Sequence, residues 1–119
     1  MSGISGPKII TSGCVLSLDA ADKLSYKGSG TTWKDLSGNN NTGTLTNGPT
    51  FNAGNQGSIS FDGTDDYVEN TSPNLGITGN ASVTLSCWFY FTGGSNSYVL
   101  LAYGNGPDAL DTFAITVYT

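Results

Sequence analysis

Residues 82–91, SVTLSCWFYF, constrain the fold more than any other stretch of this sequence. Apolar residues recur at every second position, namely Val83, Leu85, Cys87, Phe89 and Phe91. Hydroxyl-bearing and aromatic residues fill the alternate positions, namely Thr84, Ser86, Trp88 and Tyr90. Because a strand points successive side chains to opposite faces, the pattern predicts a strand with one apolar face. That face needs a covering layer, so we expect this segment to be the central strand of a β-sandwich.

Shorter strand-like segments, separated by Gly, Asn and Pro, occupy much of the remaining chain. The expected strands are residues 13–19, 42–46, 50–51, 58–61, 66–70, 98–103 and 111–119. Segments 58–61 and 66–70 flank a short turn, which predicts that they pair as a hairpin. No segment has a helical period. Many short strands punctuated by turn residues indicate an all-β sandwich or barrel.

The charge balance excludes several classes of partner. The net charge is −5 with only four basic residues, whereas nucleic-acid binding and docking on anionic membranes need a basic face. No apolar run is long enough to span a bilayer. The N-terminal sequence MSGISGPKIITSG lacks the apolar centre of a signal peptide. We therefore expect a chain made in the cytoplasm without a signal peptide and reaching its destination by another route.

The two cysteines, Cys14 and Cys87, lie in phase with the apolar faces of their predicted strands. They are interpreted either as free buried thiols that act as small apolar groups or as a disulfide between neighbouring strands. The chain has no His and no CxxC pair, so a structural zinc site is not expected.

Four sequence strings, taken in order, resemble one known family: GCVLSLDAAD, WKDLSGNNNTGTLTNGPTF, GSISFDGTDDYVEN and SVTLSCWFYF. The resemblance is to a LamG-like domain of the concanavalin A-like lectin/glucanase superfamily, of the type found in phage structural proteins. It covers residues 13 to 103. It implies an antiparallel two-sheet jelly-roll sandwich, and binding rather than catalysis.

Residues 1–12, a Gly/Ser/Pro segment around Ile9 and Ile10, are expected to form an extended N-terminal arm, and the alternative is a disordered terminus. The resemblance makes residues 13–119 the LamG-like β-sandwich domain. Such domains usually exceed 119 residues, so the jelly roll is expected to be incomplete or abbreviated at its C-terminus. An incomplete sheet has an open edge that invites pairing with another chain, which predicts a homo-oligomer or binding to other virion proteins.

Catalysis is not expected. Glycoside hydrolysis needs two carboxyl groups flanking the sugar, and related glucanases resemble one another in a Glu-x-Asp-x-Glu strand. The nearest match here places Asp65, Tyr67 and Glu69 on one face, with a Tyr where the middle acid would be. Schemes with a nucleophile and a His base fail because the chain has no His.

Calcium is the one candidate cofactor. Asp62, Asp65 and Asp66 cluster in one turn, and Asp35 precedes an Asn-rich loop. Carboxylate oxygens suit a hard cation, and related domains often carry one calcium. The alternative is that these side chains only bond their own backbone, as Asp and Asn commonly do in turns. On that interpretation no cofactor is bound.

A glycan is the candidate ligand. Sugars stack on aromatic rings and pair their hydroxyl groups with amides. Trp88 and Tyr90 could form the platform, and Asn96 and Asn105 could donate hydrogen bonds. The alternative is that the two aromatic residues pack under loops or against a neighbouring subunit. Trp33 is expected to anchor the core.

Two functions follow from these observations. The first is a non-enzymatic structural protein on the exterior of an assembly, such as a virion head-decoration or tail or fibre component with glycan-binding capacity. The second is a carbohydrate-binding lectin or adhesin module. Both place the protein on a virion or an extracellular surface, and neither involves nucleic acid or a membrane.

Overall fold

Short strands dominate the computed structural model, which describes residues 11–78, 80–95, 97–104 and 113–118. The strands are β1 Thr32–Trp33, β2 Gly43–Thr46, β3 Thr50–Asn52, β4 Ser58–Ser60, β5 Tyr67–Glu69, β6 Tyr98–Tyr103 and β7 Phe113–Val117. Two 3-10 helices, Gly54–Gln56 and Pro73–Gly76, are the only helices in these ranges. None of the helices in the described residues is long and apolar enough to cross a membrane. Most of the predicted N-terminal arm, residues 1–10, lies outside the described residues.

The strands form three antiparallel sheets in two compact units, Met1–Leu75 and Gly76–Thr119. In the first unit β1, β2 and β5 form one sheet in the order β1-β2-β5, and β3 pairs with β4. In the second unit β6 pairs with β7, with an irregularity between Val99 and Leu101. The all-β prediction is therefore confirmed, and six of the predicted short strands overlap β2, β3, β4, β5, β6 and β7.

The predicted hairpin over residues 58–70 is wrong in its pairing. Both strands exist, but β4 pairs with β3, where Ile59 lies opposite Phe51. The other strand, β5, pairs with β2, where Val68 lies opposite Leu45. Leu45 is buried, so the apolar contact across β2 and β5 outweighs the short loop that would favour a local hairpin.

The predicted central strand at residues 82–91 is also wrong. The segment carries no strand assignment, Leu85 is half-buried and Cys87 is exposed. Phe89 is 56% exposed. Once a strand is paired, alternation determines which face each side chain occupies, but it does not determine which strand is the partner. The only paired strands described in the second unit are β6 and β7, and a two-stranded hairpin cannot cover an apolar face.

The predicted strand at residues 13–19 is absent, and a loop holds this segment instead. The Ser17 N–H donates to a carboxylate oxygen of Asp35 instead of to a neighbouring strand. The Ser17 carbonyl accepts from the Leu36 N–H at 2.8 Å. Leu18 lies over the sheet, where its Cδ1 is 3.2 Å from the position that a Cβ on Gly43 would occupy. Buried Gly43 is therefore the point at which the segment approaches β2.

An aromatic cluster forms the centre of the first unit. Tyr26 and Leu45 are the only apolar residues buried among those described. The Tyr26 ring centroid lies 6.4 Å from that of Trp33 in β1 and 5.4 Å from that of Phe51 in β3, so Tyr26 joins the two sheets. Its hydroxyl donates to the Gly30 carbonyl at 2.7 Å. The Trp33 indole N–H is buried without a partner, consistent with the predicted anchoring role of Trp33.

Candidate functional site

The sequence analysis points to three groups of residues, namely Asp35 with its loop, the acidic turn at residues 62–66, and the aromatic segment at residues 82–91. Asp35 is 4% exposed. Its Oδ1 accepts from the Ser17 N–H at 2.9 Å and from the Ser37 N–H at 2.8 Å. Its Oδ2 accepts from the Ser37 hydroxyl at 2.6 Å and from the Asn41 N–H at 3.0 Å. These bonds occupy the roughly four acceptor positions of a carboxylate, so Asp35 has none left for a cation.

The loop that follows Asp35 holds residues 14 and 15 in place. Asn41 Nδ2 donates to the Val15 carbonyl at 2.7 Å, and the Ser37 hydroxyl lies 3.2 Å from the same oxygen. Asn39 Nδ2 donates to the Cys14 carbonyl at 3.0 Å. The Asn-rich loop thus substitutes for a neighbouring strand, because its amides satisfy carbonyls that a sheet would otherwise pair. Its role is structural.

Two opposing effects set the pKa of Asp35. Burial raises it, but the hydroxyl and N–H of Ser37 and the N–H groups of Ser17 and Asn41 stabilise the anion and leave the pKa below its usual 3.8. The folded state therefore holds the proton more weakly than the unfolded chain. Between the folded and the unfolded pKa of Asp35, the unfolded state binds more protons than the folded state. The free energy of unfolding therefore rises with pH there, and the contribution of Asp35 to it is lost as the pH falls through the folded pKa.

We expect this linkage to appear as an acid transition of the first unit. Stability should be constant from neutral pH down to about pH 5 and decline progressively below the unfolded pKa of Asp35, near 3.8. The measurement is the urea midpoint as a function of pH, followed by circular dichroism. Asp35→Asn is the control, because it lacks the titrating group and should have a shallower acid slope. Identical slopes for the two proteins would contradict this assignment.

The acidic turn brings three carboxylates together. The oxygens of Asp62, Asp65 and Asp66 lie within 4.8 Å of one another. Asp62 Oδ1 accepts from the Thr64 N–H at 2.8 Å, and Asp66 Oδ2 accepts from the Asp62 N–H at 2.9 Å. The Thr64 bond is the largest of the effects that lower the pKa of Asp62. These contacts explain the cluster as a turn that bonds its own backbone, and calcium binding stays a prediction.

The three residues compared with a hydrolase strand lie at the surface. Asp65, Tyr67 and Glu69 are all exposed, and they follow the alternation expected from the sequence, with Val68 half-buried between Tyr67 and Glu69. Tyr67 and Glu69 therefore occupy the exposed face of β5.

The aromatic segment is open to solvent. Trp88 is 104% exposed and Tyr90 is 90% exposed, so both rings are available to a ligand or partner. Near its end the Phe91 ring packs on Tyr98 of β6, with centroids 5.5 Å apart. The other two residues of the predicted glycan site, Asn96 and Asn105, lie outside the described residues. Trp88 and Tyr90 are therefore accessible, although the predicted strand is absent, and glycan binding stays a prediction.

Both cysteines are free. Cys14 is half-buried, and its thiol is 3.4 Å from the Leu16 carbonyl. Cys87 is exposed, so the expectation that both thiols are buried is wrong for Cys87, because its segment lacks a covering layer.

Sequence reasoning missed the structural importance of Tyr26 and Asp35. Tyr26 lay outside every predicted strand, and Asp35 was grouped with potential calcium ligands. The Asp35-x-Ser37 spacing was the available signal, because a short side chain two residues before an N–H commonly accepts from it.

Comparisons with family models, with curated proteins and with solved structures return no match for this chain.

Proposed function

We propose that this chain is a non-enzymatic structural protein on the exterior of an assembly, as a virion head-decoration or tail or fibre component. The observation that carries the proposal is the surface of the second unit. None of the described residues after position 75 is buried, and Trp88, Phe89 and Tyr90 are all exposed. Contiguous exposed aromatic surface is typical of sites that bind a partner.

The proposed fold is a concanavalin A-like, LamG-like jelly roll that is incomplete or abbreviated. The motif strings around Asp35 and Asp62 support this fold. Every described strand pairs in the antiparallel sense, and Tyr26 contacts two sheets, which also supports it. The described buried apolar core is small, consisting of Tyr26 and Leu45. A small core favours stabilisation by neighbouring subunits, since folding alone buries little apolar surface.

Composition supports the proposed location and chemistry. A chain with net charge −5 suits the outside of a particle better than contact with its nucleic acid. The polar surface is rich in Ser, Thr, Asn and Gly, as in many extracellular and virion modules. Tyr67, which stands where a hydrolase strand would carry its middle acid, supports a binding role without catalysis.

Sedimentation velocity over a wide concentration range tests this proposal. We expect species larger than the 12.3 kDa monomer, with the proportion rising with concentration. The double variant Trp88→Ser/Tyr90→Ser should shift the distribution towards monomer, while Tyr118→Ser, which also removes an exposed aromatic residue, is the matched control. A chain that stays monomeric throughout would argue against the assembly role.

A lectin or adhesin is the second candidate, favoured by the exposure of Trp88 and Tyr90. Stacking of a sugar on an exposed ring is sensitive to loss of that ring. On a glycan array, Trp88→Ala should lower the signal for a bound glycan by at least about tenfold, equivalent to 1.4 kcal/mol. Tyr118→Ala should leave it unchanged. Absence of any binding, or equal binding by wild type and Trp88→Ala, would remove this candidate.

A further inference from the structure

The turn that follows β2, residues 47–49, begins with an Asn-Gly pair. Only two asparagines in the sequence precede a glycine, Asn47 and Asn105, and Asn105 lies outside the described residues. Glycine has no side chain, so its backbone nitrogen can approach the amide of the preceding residue closely. Asparagine is among the residues that degrade chemically with time and heat. Asn47 and Gly48 are both exposed, so water and base reach them.

Asn47 also links this turn to the acidic turn of residues 62–66. Its Nδ2 donates to the Asp65 carbonyl at 2.8 Å. Gly48 lies beside the acidic turn as well, since a Cβ added to it would be 3.9 Å from Asp66 Oδ1. The link directly follows Thr46, the last residue of β2 that pairs with β5. A chemical change at Asn47 therefore acts where the end of β2 meets the acidic turn.

We propose that Asn47 is a site of spontaneous deamidation, and that its conversion to aspartate or isoaspartate breaks the link between the turn after β2 and the acidic turn. Water is the co-reactant, and the reaction needs no enzyme. The inference goes beyond the proposed function and does not depend on it, because the residues involved all belong to one chain.

The reaction begins when a base removes the proton from the Gly48 backbone nitrogen. That nitrogen forms a bond to Cγ of Asn47, the Cγ–Nδ2 bond breaks, and ammonia leaves, so a five-membered imide results. Water then opens the imide at Cγ, which gives aspartate, or at the backbone carbonyl carbon of residue 47, which gives isoaspartate. The net change is asparagine plus water to aspartate plus ammonia, with no oxidation or reduction.

The folded structure slows this reaction. Nδ2 departs when the imide forms, so its hydrogen bond to the Asp65 carbonyl has to break. The negative charge of Asp66 beside Gly48 disfavours the deprotonated backbone nitrogen. Both effects are lost when the first unit unfolds. The unfolded chain should therefore react faster by about tenfold or more.

Neither product can restore the link. A carboxylate at position 47 only accepts hydrogen bonds, so it cannot donate to the Asp65 carbonyl. It also brings a further negative charge to the acidic turn, where the carboxylate oxygens of Asp62, Asp65 and Asp66 already lie within 4.8 Å of one another. Isoaspartate adds an extra carbon to the backbone in the short connection between β2 and β3. Deamidation should therefore weaken the first unit irreversibly.

Mass spectrometry of the full chain after incubation in mildly alkaline buffer tests the site. Tandem spectra of proteolytic peptides locate each replacement of an amide NH₂ by OH and separate Asn47 from Asn105. We expect Asn47 to convert faster than any other asparagine of residues 11–78, and faster in urea than in the folded chain. An unmodified Asn47 at the end of the folded incubation would overturn the proposal. Equal rates in the two states would overturn the protection by Asp65 and Asp66.

Asn47→Asp reproduces the aspartate product and tests its consequence. Its urea midpoint at neutral pH should lie below that of the wild type. Asn55→Asp is the matched control, because Asn55 is also exposed, also has a positive φ and also belongs to the first unit. It adds the same charge and should unfold like the wild type. Equal midpoints for the two variants would overturn the predicted loss of stability.

Asn47→Gly separates the lost hydrogen bond from the added charge. Glycine adopts the φ of 67° at this position without strain and has no amide to lose. Its urea midpoint should lie between those of the wild type and Asn47→Asp. High salt should bring Asn47→Asp towards Asn47→Gly, because salt screens repulsion between exposed carboxylates. A difference between these two variants that does not change with salt would overturn the role of charge.

Discussion

Asp35→Asn is expected to lower the free energy of unfolding of the first unit by about 1–3 kcal/mol. The carboxylate accepts four hydrogen bonds in a position that is 4% exposed. An amide of the same shape keeps one acceptor oxygen, but an NH₂ group replaces the other oxygen. The NH₂ group can only donate, and it faces the N–H or O–H groups that donate to the carboxylate oxygen in the wild type. At least one of the donors on Ser17, Ser37 or Asn41 is left buried without a partner.

The measurement is urea denaturation at neutral pH, followed by far-ultraviolet circular dichroism. Asp65→Asn makes the same chemical change at an exposed carboxylate and should alter stability by no more than about 0.5 kcal/mol. The prediction fails if the two variants unfold at the same urea concentration.

Tyr26→Ala should cost about 3–5 kcal/mol, because it removes the ring between the two sheets of the first unit. Tyr26 is 3% exposed and contacts both Trp33 and Phe51. With so few buried apolar residues in the described chain, the cavity cannot be filled from elsewhere, and the link between β1 and β3 is lost.

Tyr26→Phe separates the contribution of the ring from that of the hydroxyl. It keeps the aromatic contacts and loses the bond to the Gly30 carbonyl, so about 1 kcal/mol is expected. Thermal unfolding of the two variants beside wild type provides the comparison. Similar losses of stability for Tyr26→Phe and Tyr26→Ala would contradict this account of the core, because they would show that the hydroxyl stabilises the fold and the ring does not.

The sequence predicted local strands better than it predicted their partners. Turn residues such as Asn47 and Gly48 have positive φ in the structure, and they end β2 close to the predicted point. Pairing depends on contacts between distant residues, such as Leu45 with Val68, which local alternation does not encode. Residues 82–91 illustrate the limit, since their pattern is the strongest in the chain and no described strand pairs with them.

The candidate sites were predicted to different degrees. Trp88 and Tyr90 are exposed, but so are Cys87 and Phe89, so their assignment to one face of a strand stays a prediction. The grouping of Asp62, Asp65 and Asp66 was also foreseen, because they are neighbours in one turn. The Asp35-x-Ser37 spacing signals only part of the role of Asp35, since its other hydrogen bonds come from the distant Ser17 N–H and from the Asn41 N–H.

The contrasting positions of the two tryptophans give the protein an intrinsic pair of optical reporters. Trp33 sits among aromatic rings with its indole N–H shielded, whereas Trp88 is in full contact with water. Emission from Trp33 should lie at shorter wavelength and resist quenching by iodide, while emission from Trp88 should be red-shifted and quenched readily. The unlabelled protein can therefore report on each of its halves separately, with Trp33→Phe and Trp88→Phe to assign the two components.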